Sequence, residues 1–138
     1  SYCVSHQEDY GLVTIGSREW KDYKVESIVY FSLHKSGGLV VRSTGHKRYY
    51  GAILTNYNTA QIFMQKDGNR KILTETEFIY VEDKPYKLQF AAYGNQLSFW
   101  VNEEKILCTS DAAYTCGGAG FTISKGTMTC DSFIVLGE

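Results

Sequence analysis

The side chains able to do chemistry in this chain are scattered rather than gathered. Carboxylates fall in pairs at Glu8-Asp9, Glu75/Glu77, Glu82-Asp83 and Glu103-Glu104. Glycoside hydrolysis by two carboxylates needs them on opposite sides of one bond. Only Glu75 and Glu77 share a strand parity, and a solvated strand edge is the better account of that pair. His6, His34 and His46 fall in or beside loop-like segments and share no spacing with a Ser or Asp pair. No nucleophile with an adjacent base is therefore legible, and the chain reads as non-catalytic. Cys3, Cys108, Cys116 and Cys130 form no C-x-x-C and have no His at zinc-like spacing. They read either as four reduced small hydrophobes or as including a Cys3–Cys130 bridge between terminal strands. Free thiols throughout point to a cytoplasmic home; the alternative is a secreted one.

What the residues do offer is recognition chemistry. The chain has 11 Tyr, 7 Phe and 2 Trp. Leu97, Phe99 and Val101 alternate with Ser98 and Trp100, so Trp100 is expected to face away from the core. By the same alternation Leu39 and Val41 point inward, and Val40 and Arg42 outward. Of the neighbours Tyr49 and Tyr50, which follow the basic run His46-Lys47-Arg48, one must face outward. Gln65 or Lys66 joins them from the next segment. The candidate ligand contacts are thus Arg42, Tyr49, Tyr50, Lys66 and Trp100, with Arg42, Tyr50 and Trp100 expected to line one depression. An aromatic ring there would stack on the C–H face of a sugar, and planar polar groups would bind vicinal hydroxyls. The alternative is that Trp100 and Arg42 are ordinary surface, with Arg42 paired to a carboxylate.

These residues sit on a chain of short alternating segments. They run Leu12–Ile15, Tyr23–Leu33, Gly38–Ser43, Tyr49–Asn56, Ala60–Lys66, Arg70–Glu77, Lys87–Tyr93, Gln96–Asn102, Lys105–Thr109, Ala119–Ser124 and Thr127–Leu136. Gly- or Asn-containing turns separate them, among them Asp67-Gly68 and the two-residue Gly94-Asn95. No convincing helical period intervenes. The pattern predicts an all-β protein: an antiparallel two-sheet β-sandwich of jelly-roll type, one domain over 1–138. A net charge of −1 argues against a nucleic-acid partner. No apolar run approaches the roughly 20 residues of a membrane-spanning helix. The start at Ser1-Tyr2, without Met, reads as a C-terminal fragment of a larger protein.

The strings W-K-D-Y-K-V-E, G-G-L-V-V-R-S, R-Y-Y-G-A-I-L, G-N-Q-L-S-F-W-V-N-E-E and C-D-S-F-I-V resemble those of concanavalin A-like, laminin-G jelly-roll modules. The likeness covers about Tyr10 to Leu136. It is nearest to the C-terminal domain of bacterial ADP-ribosylglycohydrolase-family proteins and to the carbohydrate-binding modules of glycoside hydrolases. The resemblance implies a non-catalytic accessory module with a saccharide ligand and an adjoining catalytic domain. The competing expectation is a structural domain that docks on a catalytic domain or dimerises. The shared positions are Arg42 of the G-G-L-V-V-R string and Tyr49 and Tyr50 of R-Y-Y. No cofactor is expected; the alternative is a structural calcium at Asp131 with Glu8 or Asp9, as in many related modules. Retaining glycosidases on this fold use an E-x-D-x-x-E strand, which this chain lacks. Glu103 stands where the family's hairpin has Gly, so it must accept a left-handed backbone or impose another turn.

Overall fold

The computed structural model describes residues 2–6, 11–31, 36–44, 48–55, 58–67, 69–79, 84–114, 116–124 and 126–137. Among the described residues twelve strands follow one another: β1 (Tyr2–His6), β2 (Gly11–Trp20), β3 (Tyr23–Phe31), β4 (Ser36–Ser43), β5 (Arg48–Leu54), β6 (Thr59–Lys66), β7 (Asn69–Glu77), β8 (Pro85–Tyr93), β9 (Gln96–Val101), β10 (Glu104–Ser110), β11 (Gly117–Ser124) and β12 (Gly126–Gly137). They form two six-stranded sheets, ordered β1-β12-β3-β8-β9-β10 and β2-β11-β4-β5-β6-β7. Neighbouring strands are antiparallel throughout. The architecture is the jelly-roll β-sandwich expected. Eleven strands coincide with the alternating segments; β1 is additional. Among the described residues, no helix is long and apolar enough to cross a membrane.

Alternation explains the core. Tyr23, Val25 and Val29 of β3, Leu88, Phe90 and Ala92 of β8, and Leu97, Phe99 and Val101 of β9 line one inner face. They meet Leu39 and Val41 of β4, Tyr50, Ala52 and Leu54 of β5, and Ala60 and Ile62 of β6. Phe90 and Phe99, opposite each other across β8 and β9, meet edge-on with centroids 6.3 Å apart. Burying side chains of this size contributes about 1.5–3 kcal/mol each, which fixes the parity of every inner strand.

The turns carry the strain. Tyr93 pairs with Gln96, leaving Gly94-Asn95 as a two-residue loop with Gly94 at φ 59. A glycine alone in that conformation at the first loop position fits a type II′ hairpin. In the next loop both Asn102 (φ 52) and Glu103 (φ 70) are left-handed, so Glu103 does accept the backbone that glycine would take freely. The surroundings hold it there. Asn102 N donates to the Lys87 carbonyl at 2.8 Å and Asn102 Oδ1 accepts from Lys87 N at 3.0 Å. Lys87 Nζ reaches Glu103 Oε1 at 3.1 Å.

Candidate functional site

Arg42 is the first departure from expectation. Its residue is 1% exposed, and it is the largest fully buried side chain among the described residues. The alternation that would turn it outward is broken by its own left-handed backbone, φ 53. That conformation is accommodated by Gly117 at φ 151, where a Cβ would lie only 2.5 Å from the Arg42 carbonyl carbon. The guanidinium swings into one end of the sandwich and spends all five N–H groups. Nε and Nη2 donate to the Lys21 carbonyl at 3.1 and 2.8 Å. Nη1 donates to the carbonyls of Gly94 (2.7 Å) and Tyr114 (3.1 Å), and Nη2 also faces Asp22 Oδ1 at 3.4 Å. Arg42 is paired to a carboxylate, but as an interior strut that ties three chain segments together. It lines no surface depression.

Tyr50 is interior as well. Paired with Val41, it takes the inward parity and is fully buried. Its hydroxyl donates to Asp111 Oδ1 at 2.5 Å and accepts from Tyr114 N at 3.1 Å. Burial first, and the Asp111 contact second, hold its phenol well above the ordinary tyrosine range. Tyr23 Oη, pushed up to about 12 chiefly by burial, accepts from Arg42 N at 2.5 Å and points toward the carbonyls of Gly117 and Gly118.

Tyr49 and Gln65 face each other on the outer face of the second sheet, while Lys66, one residue on, takes the opposite parity. Tyr49 pairs with Gln65 and Arg48 with Lys66. Across β6 and β7, four cross-strand pairs share the outer face by register: Thr59–Glu77, Gln61–Glu75, Phe63–Ile72 and Gln65–Arg70. Gln61 Nε2 donates to Glu75 Oε2 at 2.9 Å, and Arg70 Nε donates to Gln65 Oε1 at 3.2 Å. The Arg70 guanidinium lies 3.7 Å from the centre of the Phe63 ring, and Tyr49 meets that ring edge-on at 5.9 Å. Gly51 opposite Phe63 makes this possible: a Cβ there would stand 2.3 Å from Phe63 Cζ. The result is a layered stack of bare backbone, phenyl ring and guanidinium.

Two depressions open at the ends of this ladder. One, of about 560 Å³, is lined by Asn58, Thr59, Glu75, Thr76, Glu77 and Ile79. The other, of about 350 Å³ at the hairpin end, is lined by Met64, Lys66, Asp67, Asn69, Arg70 and Lys71. Glu75 and Glu77 thus converge on one depression, as their parity allows. Asp67 is held by Arg48 through a two-bond fork of 3.0 and 2.8 Å. Sequence reasoning misses Arg70, Phe63 and Gln61. Counting back from the Asp67-Gly68 turn would have paired Gln65 with Arg70. It would have failed at Glu75, because the register shifts between Ile62 and Phe63.

Trp100 stands apart, on the outer face of the other sheet, so Arg42, Tyr50 and Trp100 share no depression. Lys24 and Lys105 place ammonium groups 4.4 and 5.4 Å from its ring centre. Asp131 belongs to β12 opposite Ile28, just before a register shift; its side chain, like Glu8 and Asp9, lies outside the described residues. Among the described residues no three His, Cys, Asp or Glu gather to hold a metal ion. Cys108 and Cys116 are free thiols. The Cys108 thiol is pulled below its ordinary value, first by the Gln96 amide donating to Sγ at 2.9 Å. Cys3 pairs with Thr129 and Cys130 with Tyr2; the side chains of both, and with them the Cys3–Cys130 bridge, lie outside the described residues.

No protein-family model and no curated protein matches this chain. Solved structures do. The carbohydrate-binding module CBM66 from Bacillus subtilis is similar at TM-score 0.88 and 16% identity, over 95% of this chain and 84% of that one. Sheep galectin-11, solved in complex with glycerol, is similar at TM-score 0.66 and 14% identity, over 96% and 100%. The GH43 protein BlXynB from Bacillus licheniformis reaches TM-score 0.64 and 16% identity over 86% of this chain, which spans 28% of that protein. These likenesses establish the jelly-roll β-sandwich fold.

Proposed function

We propose that this domain is a non-catalytic carbohydrate-binding module whose ligand lies on the outer face of β5, β6 and β7. The observation that carries the reading is the β6–β7 ladder, where amide, carboxylate and guanidinium groups converge on a surface underlaid by Phe63 and Tyr49. Hydroxyls both donate and accept. Glu75 and Glu77 take their protons, while the Gln61 and Arg70 N–H groups give to their oxygens. Glu75 and Glu77 serve recognition in this reading: Glu75 already accepts from the Gln61 amide, and both line an open depression on the sheet face. The similarity to a module named for carbohydrate binding, and to a galectin, supports it.

The same fold forms part of a larger GH43 protein. By that precedent and by the sequence resemblance, the module is attached to a bacterial hydrolase, of the ADP-ribosylglycohydrolase family, in the cytoplasm. Affinity is expected between micromolar and millimolar, because an open face immobilises few atoms and water competes for every hydroxyl. Titration calorimetry against a panel of oligosaccharides tests the reading. Arg70→Ala and Glu75→Gln should each weaken the best ligand at least tenfold, without moving the melting temperature by more than a few degrees. A panel with no ligand, or both variants binding like the parent, refutes it. A second reading, docking on a catalytic domain or a second copy, is favoured by the exposure of Ile72 (46%) on β7 and of Ile79 (63%) just beyond its end. Concentration-dependent dimerisation abolished by Ile72→Lys would select that reading.

A further inference from the structure

We infer that the outer face of the first sheet carries a separate site for a carboxylate-bearing sugar, built on Trp100, Lys24 and Lys105. The register sets the parts side by side. Trp100 on β9 pairs with Lys105 on β10 and with Gln89 on β8. Lys24 lies two strands away on β3 and one pair along the ladder: it pairs with Ala91 on β8, which pairs with Ser98, while the Trp100 row runs through Gln89 to Glu26. Ala91 is too small to obstruct, so the lysine stem can reach across to bring Nζ to 4.4 Å from the indole centre, while Lys105 Nζ comes from the other side to 5.4 Å.

Among the described residues neither lysine joins an ion pair. The neighbouring carboxylate, Glu26, accepts from the Gln89 amide at 2.9 Å instead. A half-buried indole on an open sheet face offers a stacking surface for the C–H face of a pyranose. Two ammonium groups resting over that ring offer a charged clamp for an anion carried by the sugar. A neutral sugar must displace both lysines from the ring and gains no charge in return. A uronic acid lets them swing to its carboxylate while its ring takes their place on the indole. This site lies on the opposite side of the sandwich from the β6–β7 ladder, so it stands or falls independently of the proposal made for that ladder.

Trigalacturonate and its fully methyl-esterified form are the probes, titrated by calorimetry and by tryptophan emission. The acid should bind at least ten times more tightly than the ester, and added salt should weaken it. Trp100→Ala should lower that affinity at least tenfold. Lys24→Gln with Lys105→Gln, which leaves the ring in place should the Ala variant fold poorly, should remove the preference for acid over ester. Arg70→Ala should leave the acid's affinity unchanged. Equal binding of acid and ester, no binding of the acid, or a double-lysine variant that keeps the preference overturns the inference. So does loss in Arg70→Ala with Trp100→Ala unaffected, which would put the acid on the other face.

Discussion

Replacing Arg42 by Met asks whether this residue is a strut or a ligand contact. Met keeps much of the side-chain volume and removes every donor. The carbonyls of Lys21, Gly94 and Tyr114 lose their partners together. Lys21 and Gly94 are exposed and can turn to water, whereas Tyr114 is buried and its carbonyl is left desolvated. A charge-assisted hydrogen bond is worth about 1.5–3 kcal/mol, and an unsatisfied buried acceptor costs about 1–3 kcal/mol. Allowing for resolvation, Arg42→Met should destabilise the domain by about 3–5 kcal/mol, a large share of a typical total of roughly 5–15 kcal/mol. At this size each kcal/mol moves the melting point by roughly 3–5 °C, so a fall of about 10–20 °C is expected in thermal unfolding. Arg42→Lys should recover little, since an ammonium cannot fork to three carbonyls. Urea titration should show the same loss with an unchanged slope. A variant melting within a degree or two of the parent, yet unable to bind saccharide, would refute the argument and return Arg42 to the ligand.

Gly51→Ala should push the Phe63 ring off its seat, because the new methyl would meet Cζ at 2.3 Å. Overpacking of this kind costs about 1–3 kcal/mol, and saccharide titration should show lost affinity as Arg70 loses its platform. Glu103→Gly should stabilise by about 1 kcal/mol in chemical denaturation, by relieving the left-handed strain at φ 70. Alkaline pH should unfold the domain through its buried phenols. Tyr23, raised from 10.0 to about 12, and Tyr50, also raised, favour the fold while protonated. The Tyr23 contribution is therefore intact below pH 10 and lost as pH climbs through about 12, and the Tyr50 contribution is lost in the same direction. Phenolate absorbance should lag behind the exposed tyrosines and rise with unfolding, and Tyr50→Phe should flatten the alkaline decline.

The strands were legible because burial on one face enforces alternation, as Leu97, Phe99 and Val101 against Ser98 and Trp100 illustrate. The site was legible only in part. Tyr49 and Gln65 follow from parity and adjacency, and they do pair across β5 and β6, whereas Lys66 pairs with Arg48. Arg42 misleads because its single left-handed residue inverts the parity rule, and nothing in the string G-G-L-V-V-R announces a positive φ. Arg70 and Phe63 escape because their meeting depends on a ring lying flat over Gly51, a property of packing rather than of period. β1 escapes because five residues, Tyr2–His6, give alternation too little length. Trp100 was placed outward correctly, but parity within a strand does not say which sheet the strand joins.

The order of the strands has a consequence for how the chain can fold. β12 lies between β1 and β3, and β11 lies between β2 and β4. The opening strands of both sheets therefore reach their neighbours only through the last two strands made. During synthesis, β3 and β4 must wait with one hydrogen-bonding edge bare until some eighty to a hundred residues more have emerged, roughly five to twenty seconds at the usual elongation rate. Pairings such as Tyr23 with Gly137 close very long loops, which places the domain among slow, high-contact-order folders. Because the closing strands lie inside each sheet rather than at its edge, a ribosome-bound chain stalled before β11 could complete neither sheet, leaving β1 and β2 without neighbours and β3 and β4 as edges. Its bare edges would be the natural target of a chaperone, or the seed of strand exchange between neighbouring nascent chains.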